Sequence, residues 1–128
     1  FELEDGDIRE TIRPYIMGRI VDVEQFFRKY RCDVSANNVC IAFEVEDSFL
    51  SRNSKTFFVR FHNGECSPAE PATHHTVKLS IATLTTLLLG YKTASKLYRM
   101  GRLSANEQTV RLLDDVLLHE MPYISDYI

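Results

Sequence analysis

Residues 78–103, KLSIATLTTLLLGYKTASKLYRMGRL, constrain this chain most, because a strand pattern passes there into two short helices, each with its own start and stop. Val77, Leu79 and Ile81 alternate as in a half-buried strand, and Ser80 is placed to cap the first helix. Leu84, Leu87 and Leu88 then recur at helical spacing until Gly90 ends the run. Thr93 opens a second helix with Ala94, Leu97 and Tyr98 on one face, and Gly101 closes it. None of these side chains is chemically reactive. The stretch specifies packing.

The same patterns organise the rest. The first dozen residues lack a clear period. PYIMGRIV, residues 14–21, is strand-like, with Ile16, Gly18 and Ile20 facing one way. Asp22 caps a helix whose Val23, Phe26, Phe27 and Tyr30 form an amphipathic stripe, with Gln25 where a capping box places it. Val39, Ile41, Phe43 and Val45 alternate, as do Phe57, Val59 and Phe61, and the turn residues SRNS between them predict a hairpin. GECSPAEPATHH reads as a surface loop with room for one short edge strand. A last helix is expected from Ser104, with Glu107 completing a capping box, Val110, Leu113 and Leu117 facing inward, and Pro122 limiting it. The order gives an α+β domain with a mainly antiparallel sheet covered by helices on one face.

A chain of 128 residues suits one domain with a proper core. Its 45% hydrophobic and 26% charged residues are ordinary for a globular protein, which argues against disorder. The net charge of -3 argues against nucleic acid as a partner, since phosphate binding needs a basic patch. No apolar run approaches the roughly 20 residues that cross a bilayer, so no membrane partner is expected. The acidic start, FELEDGDIRE, is unlike a secretory signal, and a cytoplasmic location is the expectation. Cys32, Cys40 and Cys66 are an odd number without zinc-type spacing, and read as small apolar residues in a reducing compartment.

Reactive constellations are few. Neither a phosphate-cradling glycine motif nor a Gly-x-Ser-x-Gly elbow occurs. His74 and His75 are adjacent and without nearby carboxylates, which suits a solvated loop better than a metal site, and no metal is expected. His62 reads as a half-exposed strand histidine, and Asp114 and Asp115 as surface charges near Arg111. The tail, MPYISDYI, is too aromatic and aliphatic for a free polar terminus. Such a composition suits a docked end, and by itself favours a tail that seals one edge of its own domain.

RIVDVEQFF at residues 19–27, VEDSFLSRNSKTFFVRFHNG at 45–64, the 78–103 stretch and a tail ending DYI together resemble the C-terminal domain of Eis-type GNAT N-acetyltransferases. That resemblance, over residues 14–128, implies a sterol-carrier-protein-like fold, with residues 1–13 as the trailing end of a preceding GNAT domain. It further implies two GNAT domains as partners in the same protein, an amine substrate of aminoglycoside or lysine type, and homo-oligomers, hexamers among them. Acetyl-CoA is the implied cofactor, bound in the first GNAT domain along with the general-acid tyrosine, and no cofactor is expected in this chain. The implied catalytic group here is the main-chain terminal carboxylate of Ile128, acting as general base. Asp126 and Tyr127 are the implied substrate-binding residues. The family's usual last residue is aromatic, and Ile128 departs from it.

The chemistry is coherent. Acetyl transfer needs a neutral amine, and a carboxylate attracts the ammonium form and accepts its proton. A free α-carboxyl titrates at roughly 3.3–3.7 and is a weak base in water, which partial burial improves. Asp126 adds negative potential that would steer a polycation. On this account the chain would not be catalytic alone. Two alternatives stay open: an apolar-ligand module with a lipid or sterol tunnel between sheet and helices, lined by Phe26, Phe27, Phe43, Phe57 and Phe61, and a structural oligomerisation domain.

Overall fold

Asp22 stops the incoming chain from continuing as an extended segment: its carboxylate accepts the Gln25 N–H at 3.1 Å and opens helix α1, Val23–Lys29. In this computed structural model, which describes residues 19–71 and 75–118, α1 buries Val23, Phe26 and Phe27, and Tyr30 follows fully buried. The strand expected over residues 14–21 is not seen in its described part, 19–21, where Ile20 is nonetheless buried. Its backbone N–H goes to the Thr85 hydroxyl at 3.0 Å instead of to a ladder.

Strands β1, Val39–Glu46, and β2, Thr56–His62, form the expected antiparallel hairpin, with Ile41 opposite Val59 and Phe43 opposite Phe57. SRNS lies within the connection, where Ser51–Asn53 make one 3₁₀ turn. β2 then turns through Asn63-Gly64 into β3, Glu65–Pro68, with His62 paired to Glu65. Both turn residues have positive φ, 53° and 83°, as a two-residue type I′ hairpin demands. The expected loop therefore does carry its edge strand. Pro68 is tolerated because β3 is an edge strand among the described residues.

β4, Thr76–Ser80, returns to lie parallel to β1, and Ser80 accepts the Thr83 N–H to start α2, Ile81–Leu88. Ile81, expected as the last inward strand residue, is the first of this helix. Thr93 caps α3, Ala94–Arg99, as anticipated, but Tyr98 is 38% exposed while Ala94 and Leu97 face the core. Gly90 and Gly101 hold the left-handed conformation that ends each run. Ser104 does not cap the last helix. It belongs to β5, Leu103–Ser104, pairing with Lys78, and Asn106 caps α4, Glu107–Val116, through a 2.8 Å bond to the Thr109 N–H. The strand competes successfully because Leu103 is buried opposite Leu79. Leu117 is extended and ends α4; Pro122 lies outside the described residues.

Among the described residues the sheet order is β3-β2-β1-β4-β5, and of its four pairings only β1 with β4 is parallel. Ile41, Phe43, Val59, Phe61, Val77 and Leu79 point to one face and share a core with buried residues of all four helices. Phe43 sits at its centre, 5.2 Å from Phe27 and 6.2 Å from Phe61 between ring centroids. The opposite face carries Glu44, Arg60, His62 and Lys78, with Glu44 and Lys78 3.8 Å apart. No helix among the described residues is long and apolar enough to cross a membrane.

Candidate functional site

Among the described residues two places stand out, a buried polar network and an open groove, and they lie at different corners of the sheet. The first is the β1–β2 connection. Asp47 is buried at the end of β1, and its carboxylate accepts both guanidinium arms of Arg19, the Asn53 amide at 3.0 Å, and the backbone N–H groups of Phe49 and Leu50 at 3.0 and 3.1 Å. The Arg19 guanidinium, assisted by Asn53 and those two N–H groups, holds this carboxyl well below the usual carboxylate range although burial acts the other way. Asn53 accepts the Val23 N–H and donates to the Val21 carbonyl, so the same network fixes the start of α1. A carboxylate with all its acceptor capacity engaged is no base. Its visible effect is to hold the loop rigid with Phe49 85% exposed at its tip.

The second is a groove of about 260 Å³ between α1 and the β2–β3 edge. Phe27, Phe57, Val59 and Pro68 supply apolar walls, and Cys66 lines it from β3. The rim is charged: Glu24 and Arg28 are paired at 3.1 Å, and the Lys55 ammonium stands 5.2 Å from the Phe57 ring centre. Of the five phenylalanines proposed for a tunnel, only Phe27 and Phe57 reach this groove. Phe26, Phe43 and Phe61 are packed in the core, Phe43 against Phe27 and Phe61, and Phe26 5.9 Å from Tyr30. Pockets that enclose a drug-sized ligand typically hold about 300–1,000 Å³. This groove is smaller and open.

The remaining candidates are scattered. His62 is exposed, and its Nδ1 accepts the Asn38 N–H at 3.1 Å. His75 lies in the loop just before β4, half-buried, with Nδ1 3.3 Å from the Thr109 hydroxyl; His74 lies outside the described residues. Among the described residues no three of His, Cys, Asp and Glu converge as a metal site would require. Asp114 is more than a surface charge: it accepts the N–H groups of Ala94 and Ser95 at 2.8 and 3.3 Å, and the Ser95 hydroxyl, tying α4 to the start of α3. Asp115 is exposed. Asp126, Tyr127 and Ile128, the residues assigned to the acceptor site, lie outside the described residues. The sequence reading missed Asp47, whose partner Arg19 is 28 positions away, and the groove, whose walls come from three separate elements.

A five-stranded sheet with a parallel central pair, helices on one face and a small side groove defines an α+β domain of the sterol-carrier type. The chain belongs to the sterol carrier protein domain family, whose model matches residues 23–125. No match was found among curated proteins. Among solved structures, a probable N-acyltransferase from Enterococcus faecalis, described as a conserved protein of unknown function, superposes with a TM-score of 0.73 and 28% identity, over 81% of this chain and 26% of that one. A GCN5-related N-acetyltransferase from Anabaena variabilis gives 0.69 and 24% identity over 81% of this chain and 26% of that one. Eis1 from Mycobacterium abscessus shares the fold at 0.60 and 20% identity over 79% of this chain and 24% of that one. The chain thus spans about a quarter of the length of these three solved proteins, and as a sterol-carrier-type domain it shares the fold of part of each, Eis1 included.

Proposed function

We propose that this chain is the sterol-carrier-type domain of an acetyl-CoA-dependent N-acetyltransferase acting on amines, with aminoglycosides and lysine-bearing peptides as the acceptor classes. The observation that supports this most is the likeness, at 28% identity, to one part of a protein described as a probable N-acyltransferase. In this reading acetyl-CoA is bound by GNAT-type domains elsewhere in the same protein, and the protein works as a homo-oligomer. The domain's own contribution is the main-chain carboxylate of Ile128 as general base, with Asp126 and Tyr127 beside the acceptor. The polar groups described above are consistent with that division of labour: Asp47 and Asp114 are committed to holding loop and helix starts.

The test is release of the coenzyme A thiol by the full-length protein given acetyl-CoA and a panel of amines. Turnover that depends on the amine, with acetylated product identified by mass, is the expected result. Hydrolysis of acetyl-CoA at the same rate with and without every amine would remove the assignment.

A further inference from the structure

After α1 the chain runs alongside the sheet edge before leaving for β1. Arg31 bridges Glu65 in antiparallel fashion, and the Cys32 N–H donates to the Gly64 carbonyl at 3.0 Å. Cys32 and Cys66 flank this rung diagonally, one on each strand. The two side chains project to the same side of this pairing, and the Cys32 thiol lies 3.7 Å from the carbonyl oxygen of Glu65, the residue next to Cys66. Cys66 pairs with Phe61 and so lies on the helix-covered side of the sheet, where it lines the groove. Cys40 pairs with Arg60, whose position alternates with Phe61, and faces the opposite side. Two of the three cysteines are thus brought together from positions far apart in the chain, and the sheet separates them from the third.

We propose that Cys32 and Cys66 form a redox-modification site that closes to an intramolecular disulfide, with a low-molecular-weight disulfide as co-reactant. Cys66, half-buried in the groove wall, is the thiol an incoming reagent meets first, whereas Cys32 is 3% exposed. The Cys66 thiolate attacks one sulfur of the reagent, forms a mixed disulfide and expels one small thiol. The Cys32 thiolate then attacks the Cys66 sulfur and expels the second. Two protein thiols are oxidised to one disulfide, one small disulfide is reduced to two thiols, and the two protons lost by the cysteines end on those products. Burial pushes both thiols up, so the exchange is slow near neutrality and is best followed in mildly alkaline buffer. Closure adds a covalent tie between the segment after α1 and β3, which is an edge strand among the described residues. It fixes one wall of the groove. The thiol pair is independent of the acetyltransferase reading.

The experiment treats the folded full-length protein carrying Cys40→Ala with glutathione disulfide, removing Cys40 because it shares a tryptic peptide with Cys32. Non-reducing peptide mapping is expected to give a peptide joining Cys32 to Cys66, with no glutathione left on either residue. A protein that stays reduced at both cysteines, or stops as a glutathione adduct on Cys66, overturns the proposal, provided its circular dichroism remains that of the untreated fold. Cys32→Ser in the same background is expected to halt at the Cys66 adduct. If that variant fails to fold, the Cys40→Ala mapping alone still decides the matter.

Discussion

The Asp47 corner and the Cys66 groove solve the problem of ending a sheet in opposite ways. At the first, a loop is closed by a carboxylate that gathers an arginine, an amide and two backbone N–H groups into a buried network. At the second, the edge is covered by apolar side chains and the Cys66 thiol, and the fit is left incomplete as a groove. A buried network loses heavily when one member goes, because the others stay buried without a partner. A half-open apolar wall loses only the area it had removed from water. Rigidity is therefore concentrated at the polar corner and tolerance at the apolar one.

Removing the carboxylate should break this contrast most visibly. Asp47→Ala is expected to destabilise the fold toward the lower end of about 3–5 kcal/mol, since Arg19 keeps some contact with water. Denaturant unfolding of that variant measures it; a loss below about 1 kcal/mol would mean the network behaves as a surface ion pair. Phe57→Ala at the other corner should cost about 1 kcal/mol, a fraction of the ~1.5–3 kcal/mol of a fully buried side chain, because Phe57 is only partly buried.

The two corners should also fail at opposite ends of the pH scale. The folded pKa of Asp47 lies below its unfolded value near 3.8, so its contribution is full above about pH 5 and is lost as pH falls through the folded value. Cys32 and Cys66 titrate above their unfolded value near 9.0. Above that pH the unfolded chain releases thiol protons that the fold retains, and stability falls as pH rises. Unfolding midpoints across pH should show Asp47→Asn flattening the acid limb and Cys66→Ala the alkaline limb; exchanged effects would contradict the assignment. The smallest expected effect is none. A fluorescent fatty-acyl probe titrated against the purified protein should show no saturable micromolar binding, because the groove is open and holds only about 260 Å³. Binding competed by unlabelled lipid would favour the carrier alternative.

Local signals carry most of the fold. Asp22, Ser80 and Thr93 cap helices where their position before an apolar period says they should. The Asn63-Gly64 turn is equally legible, since that dipeptide between alternating strands marks a type I′ hairpin, yet the proline-containing stretch that begins at Gly64 masks it as the start of a loop. Long-range features are not legible. Ser104 carries a cap signature with Glu107, but pairing of β5 with β4 takes it and leaves Asn106 to cap. Phe57 has the same period as Phe61 and differs in cover, which depends on where α1 lies rather than on the strand itself. Asp47 is harder to read: its bonds to Phe49, Leu50 and Asn53 are made within its own connection, but its charge partner Arg19 comes from 28 positions away.

The claim that this domain serves amine acetylation is tested most directly at its last residue. The measurement is amine-dependent acetyl-CoA turnover by the full-length protein, with the chain either native or extended by a few residues beyond Ile128, and with folding checked by circular dichroism. On the proposed role of Ile128, extension would take the carboxylate from the acceptor, and turnover is expected to fall by about 10²–10⁴-fold, the range for a lost general base. Ile128→Phe retains the carboxylate and should change turnover little. Normal turnover by the extended protein would show that the Ile128 carboxylate is not the base.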